Sequence, residues 1–151
     1  KNMSEKDFYK KKYNHIIQLI ENNSLAEAET NLIKIIDERQ NEFYPYQLLG
    51  IVYSKIGNTD KAIDNYYKSL KINQNNPSIF LSIAKIFENQ KNLIEAAKFY
   101  QQGLSIDKNN THLIESFSSF LIKFGEISKG LAYQYKHFGI IRFNKKDFEI
   151  K

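Results

Sequence analysis

The chain has 151 residues, 42% hydrophobic and 14% aromatic, enough apolar surface for a folded core and too much for a disordered segment. Cysteine is absent, which excludes disulfides, thiolate metal sites and cysteine nucleophiles and suits a reducing, cytoplasmic setting. The net charge of +5 comes from 22 basic residues interleaved with 17 acidic ones. Only Arg39 and Arg142 are arginine, so the balance reads as a solvated surface and not as a nucleic-acid footprint.

No apolar run approaches the roughly 18–20 residues of a membrane span. The opening stretch KNMSEKDFYKKKY lacks the apolar segment of a secretory signal. Met3 is not the first residue, so the chain is expected to be a piece of a longer one.

Small residues set the organisation. Ala28, Ala62, Ala96 and Gly130 each follow the last by 34 residues. Cutting at that period yields units 9–42, 43–76, 77–110 and 111–144, with 145–151 left as a tail and no insertion anywhere. Each unit reads as two amphipathic helices joined by a short turn, so the predicted class is all-α, as one domain over 1–151.

In the first unit, Ile16 and Leu19 mark the first helix, and Ser24 is expected to cap the second, which carries Ala28 and Ile36. In the second, Tyr46, Leu49, Gly50 and Tyr53 fall at i, i+3, i+4 and i+7, one face of a helix. KIGNTD (55–60) breaks that pattern, and Asn58 can cap the next helix by accepting from an orphan backbone N–H. Ala62, Ile63, Tyr66, Leu70 and Ile72 are then expected to form the buried stripe of that helix.

NQNNP leads into the third unit, where Pro77 suits a first helical turn because its missing N–H costs little there. Phe80, Ile83, Ala84 and Phe87 form the first stripe; Asn92 is the cap, and Ala96, Tyr100 and Leu104 follow. The fourth unit has Ser118 and Leu121, the turn GEISKG with Glu126 as a weaker cap, then Gly130 and Phe138. Three ladders result. Leu19, Tyr53, Phe87 and Leu121 fill one slot. Ile16, Gly50, Ala84 and Ser118 fill a close-contact slot, and Ile36, Leu70, Leu104 and Phe138 a late slot on the second helix.

No constellation for catalysis stands out. His15, His112 and His137 are scattered, with no H-x3-H pair and no acidic partner at metal-ligand spacing. GEISKG lacks the Lys-Ser/Thr that a phosphate loop requires and occupies the same slot as KIGNTD. Asp37 and Glu38 read as a charged helix end, although acids there oppose the helix dipole. The sequons at Asn22 and Asn109 fall on turns, where Asn is expected anyway. No catalytic residue, metal or cofactor is expected, and the chain is read as no enzyme.

The pattern resembles the tetratricopeptide repeat family, whose 34-residue unit reads W-x2-L-G-x2-Y, then A-x3-F, then P. The second unit supplies Tyr46-x2-Leu49-Gly50-x2-Tyr53 and Ala62-x3-Tyr66, and the third Phe80-x2-Ile83-Ala84-x2-Phe87 and Ala96-x3-Tyr100. Departures are Gln74 and Lys108 at the proline slot, Lys12 and His15 at apolar slots of the first unit, and Gly130 and Gln134 in the fourth. Outer repeats are expected to be atypical because each covers an end of a stack.

The resemblance implies a right-handed α-solenoid of about four repeats, acting as a scaffold that captures a peptide or helix of a partner protein. First helices would line its concave groove. Groove candidates are Tyr44, Gln47, Ile51, Ser54 and Lys55 in unit two, and Ser78, Leu81, Lys85, Glu88 and Asn89 in unit three. Unit four adds His112, Glu115, Ser119, Ile122 and Lys123. Tyr44, Ile51 and Leu81 are apolar where core packing does not call for them, which suits anchoring of a peptide.

The lysine- and asparagine-rich clamp of chaperone-binding members is not matched: its positions hold Tyr13, Ile17, Leu48, Ser78 and Ser82. YKKKY (9–13) interleaves bases with aromatics, a pattern that can bind RNA or anionic lipid, but it reads better as an exposed first helical turn, so neither nucleic acid nor membrane is the expected partner. Two other readings stay open. One is a substrate-docking or regulatory module of a larger enzyme, a transferase or oxygenase; the other is self-association through the end repeats. The apolar tail KHFGIIRFNKKDFEIK either packs back on the last repeat or leads into a further domain.

Overall fold

The computed structural model describes residues 3–126, 129, 130, 132 and 136. The expectations for Gln134, His137, Phe138, Arg142 and the tail lie outside the described residues. Among the described residues seven helices are delimited in chain order: α1 (Glu5–Glu21), α2 (Leu25–Glu38), α3 (Phe43–Ile56), α4 (Thr59–Ile72), α5 (Pro77–Asn89), α6 (Leu93–Ile106) and α7 (Thr111–Lys123). The fold is all-α, with no strand among the described residues. Helices α3, α5 and α7 start 34 residues apart, as do α2, α4 and α6. α1 instead begins at Glu5. Ser4 caps it, its side chain accepting from the Asp7 N–H at 3.1 Å, and Glu5 and Asp7 put negative charge on the positive end of the helix dipole. YKKKY therefore sits inside α1 and not in its first turn.

The turn after each first helix has one geometry. Asn23, Gly57, Lys91 and Gly125, at the same 34-residue spacing, all have left-handed backbones with φ of 61°, 87°, 61° and 95°. The next N–H in each case reaches back five residues, from Ser24 to Leu19, Asn58 to Tyr53, Asn92 to Phe87 and Glu126 to Leu121, at 2.8–2.9 Å. That bond satisfies a carbonyl the helix end would otherwise leave unpaired. Gly125 and Glu126 thus end α7 in the way Gly57 and Asn58 end α3. Asn58 and Asn92 then cap the following helices through the N–H groups of Lys61 and Glu95. Asn110 does the same for Leu113 on α7, whereas Ser24 precedes α2 without a side-chain cap bond.

The chain divides into two compact units, residues 1–74 and 75–151. In the first, Ile16, Leu19 and Ile20 of α1 pack with Ala28, Leu32 and Ile35 of α2 and Leu48, Leu49 and Val52 of α3. Helix α4 adds Ala62 and Tyr66, both buried. The Tyr66 ring lies against Gly50: a Cβ there would sit 2.5 Å from Tyr66 Cδ1 and 2.8 Å from Cζ, so the close-contact slot must be empty of side chain at this step. In the second unit the same slot holds Ala84 and Ser118, both fully buried. Phe87 stacks on Phe99 at 5.5 Å between centroids, and Tyr100 stacks on Phe117 at 5.4 Å. A Cβ on Gly130 would lie 2.6 Å from Ile122 Cγ1, which explains Gly in place of Ala.

The second helices bury Ala62, Tyr66, Ala96 and Tyr100 as expected, but at the late slot they bury the residue before the expected one. Ile63, Leu70 and Leu104 are only half-buried, and Ile72 is 41% exposed. The positions just before the late slot, Ile35, Ser69 and Gly103, are the buried ones. Close approach is the cause. The Ser69 hydroxyl donates to the Phe43 carbonyl at 2.8 Å, and a Cβ on Gly103 would come within 2.9 Å of Leu113 and 3.1 Å of Phe80.

Candidate partner-binding faces

In the second unit the expected groove residues belong to α5 and α7. Ser78, Lys85, Asn89, His112, Glu115 and Lys123 are exposed, while Leu81, Glu88, Ser119 and Ile122 are half-buried. Three of them converge. Lys85 from α5 and Lys123 from α7 each place an ammonium 3.6 Å from the Glu88 carboxylate, whose side chain is only 11% exposed. Tyr100 of α6 donates its hydroxyl to the same carboxylate at 2.7 Å. Burial first, and then that bond to an anion, push the Tyr100 hydroxyl well above the usual phenol range. A half-buried carboxylate is tolerable because three donors surround it. Ser78, at the start of α5, is engaged locally, donating to Asn76 at 2.7 Å.

In the first unit Tyr44, Gln47, Ile51 and Ser54 of α3 are half-buried and Lys55 is exposed. Tyr44 and Ile51 pack partly against the core, so they are not free anchors; each keeps one side accessible. Tyr44 meets Tyr13 of α1 edge to face at 5.0 Å. A crevice runs between α1 and the start of α3, lined by Glu5, Lys6, Tyr9, Lys10, Tyr13, Asn14, Ile17, Arg39, Glu42 and Tyr44.

Its polar bonds cross long stretches of chain. Tyr9 donates to Glu38 at 2.9 Å and Tyr13 to Glu42 at 2.6 Å. Lys12 also reaches Glu38, at 3.2 Å. Arg39 pairs with Glu5 at 3.1 Å and Glu42 at 2.7 Å, its guanidinium lying 4.3 Å above the Tyr9 ring. The Tyr9 bond, with help from Lys12, holds the Glu38 carboxyl below its usual range. Burial and then Glu42 push the Tyr13 phenol up. On the same unit Tyr53 donates to Glu29 at 2.5 Å, which, with burial, pushes its hydroxyl up to about 12.

Sequence reasoning missed Tyr9, Tyr13, Arg39 and Glu42 as a set, and took Glu38 for a bare helix end. A signal was present: Tyr9 and Tyr13 are four apart, as are Glu38 and Glu42, a helical turn of α1 matched by the span of the α2–α3 connection. Among the described residues no group of three or more His, Cys, Asp or Glu could hold a metal ion, and no helix is long and apolar enough to cross a membrane.

Family models for the tetratricopeptide repeat match residues 44–76 and 77–110, the segments built from α3–α4 and α5–α6. Residues 44–110 are two tandem tetratricopeptide repeats. Gly50, Ala62, Ala84 and Ala96, the αL turns at Gly57 and Lys91 and the buried Tyr66 and Tyr100 are therefore parts of these repeats. The chain is 27% identical over 90 residues to anaphase-promoting complex subunit 3 of Schizosaccharomyces pombe, a stretch covering 60% of this chain and 14% of that protein.

Among solved structures, pilF of Pseudomonas aeruginosa superposes with a TM-score of 0.75 at 13% identity, over 86% of this chain and 60% of that one. YrrB, described as a tetratricopeptide repeat protein with an unusual peptide-binding site, superposes with a TM-score of 0.66 at 19% identity, over 83% and 66%. At these identities the likeness is one of fold. The chain spans a small part of the curated relative and about two thirds of these structures.

Proposed function

We propose that the chain is a protein-interaction scaffold that captures a peptide or helix of a partner along the accessible faces of its first helices, without chemistry on bonds. The observation that carries this reading is the partial exposure of large apolar side chains on the first helices. Tyr66 and Tyr100 of the second helices are buried in the core, although Tyr67, Ile72, Ile94 and Ile106 of the same helices are exposed. First helices keep Tyr44, Ile51 and Leu81 half-buried, so apolar surface stays available where a rigid helix pair already holds it in place. Preorganised apolar anchors with a polar rim are what a peptide site needs. Within the second unit, Lys85, Glu88 and Lys123 supply such a rim, joining two first helices at one carboxylate. The peptide-binding site named for YrrB agrees with this use of the fold.

The double substitution Ile51→Glu and Leu81→Glu tests it. Both side chains are partly exposed, so helicity by circular dichroism should persist while partner capture from native lysate is lost. Full capture by the double variant would overturn the assignment of these faces.

A further inference from the structure

We draw no further inference here: the strongest candidate, the apolar cleft between α6 and α7 lined by Ile94, Ala97, Phe117, Phe120 and Phe124, carries none, because nothing in the structure shows what covers it and the charges at its rim, Lys98 with Glu95 and Lys129 with Glu126, pair with one another and select no partner chemistry.

Discussion

The α1–α2 pair and the α5–α6 pair have the same helix–turn–helix geometry but are fastened differently. In α5–α6, rings do the work: Phe87 stacks on Phe99, and Tyr100 is fully buried with its hydroxyl on Glu88. In α1–α2 the position equivalent to Tyr100 is Leu32, and the rim is closed by Tyr9 and Lys12 on Glu38 and by Arg39 on Glu5. One pair relies chiefly on apolar contact, and its one polar link, to Glu88, is largely shielded from solvent. The other adds exposed charged bonds, individually worth little and sensitive to pH and salt. A common backbone plan therefore leaves room for two kinds of reinforcement, chosen by side chains alone.

The largest expected effect lies in the apolar pair. Tyr100→Ala should cost about 3–5 kcal/mol in chemical denaturation, because it empties a buried ring site and strips Glu88 of a donor. Tyr100→Phe, which keeps the ring, should cost far less. If the two variants were equally unstable, the hydroxyl bond to Glu88, and not burial of the ring against Phe117, would be what Tyr100 contributes.

The turns sharpen the contrast by a smaller amount. Asn23 in the first pair tolerates the left-handed backbone better than Lys91 in the third, since only Gly and, to a lesser degree, Asn or Asp visit that region readily. Lys91→Gly should raise stability by about 1 kcal/mol, and Asn23→Gly by less, both read as shifts in denaturation midpoint. A Lys91→Gly variant that melts earlier would mean its side chain, which lies 5.7 Å above the Phe124 ring, outweighs the backbone strain.

The smallest effect is the pH dependence of the polar rim. The folded Glu38 carboxyl is held below its usual range by Tyr9 and Lys12. A carboxylate with a depressed folded pKa stabilises the fold above its unfolded value, about 4.3, and that contribution is lost as pH falls through the folded value. Amides of α1 should therefore exchange faster below about pH 4 relative to those of α5. Glu38→Gln should remove the pH-dependent difference; its persistence would place the acid-sensitive contact elsewhere.

Much of this architecture was legible in the residues. The small-residue spacing located the helix pairs, and Gly57 with Asn58 foretold a turn and a cap that the structure builds at that place. Tyr66 and Tyr100 were readable as packing residues because they recur with Ala62 and Ala96 at fixed offsets. The candidate faces were less legible. Lys85, Glu88 and Lys123 were each named, but their meeting was not, because Lys123 is 35 residues from Glu88 and belongs to a different helix pair.

By itself, the sequence determined what is local and repeated: helix-period stripes, αL turns, Asn caps and the 34-residue interval, all set by backbone sterics and hydrogen bonding within a few residues. Tertiary structure decided which residue goes inward at the late slot of the second helices, preferring Ser69 and Gly103 to Leu70 and Leu104. That choice depends on how near the Phe43 carbonyl and the Phe80 and Leu113 side chains come, a distance no periodicity encodes. It also decided that Tyr9 and Tyr13 turn toward Glu38 and Glu42, 29 residues along the chain. Only packing α1 against α2 and α3 brings those groups within reach of a hydrogen bond.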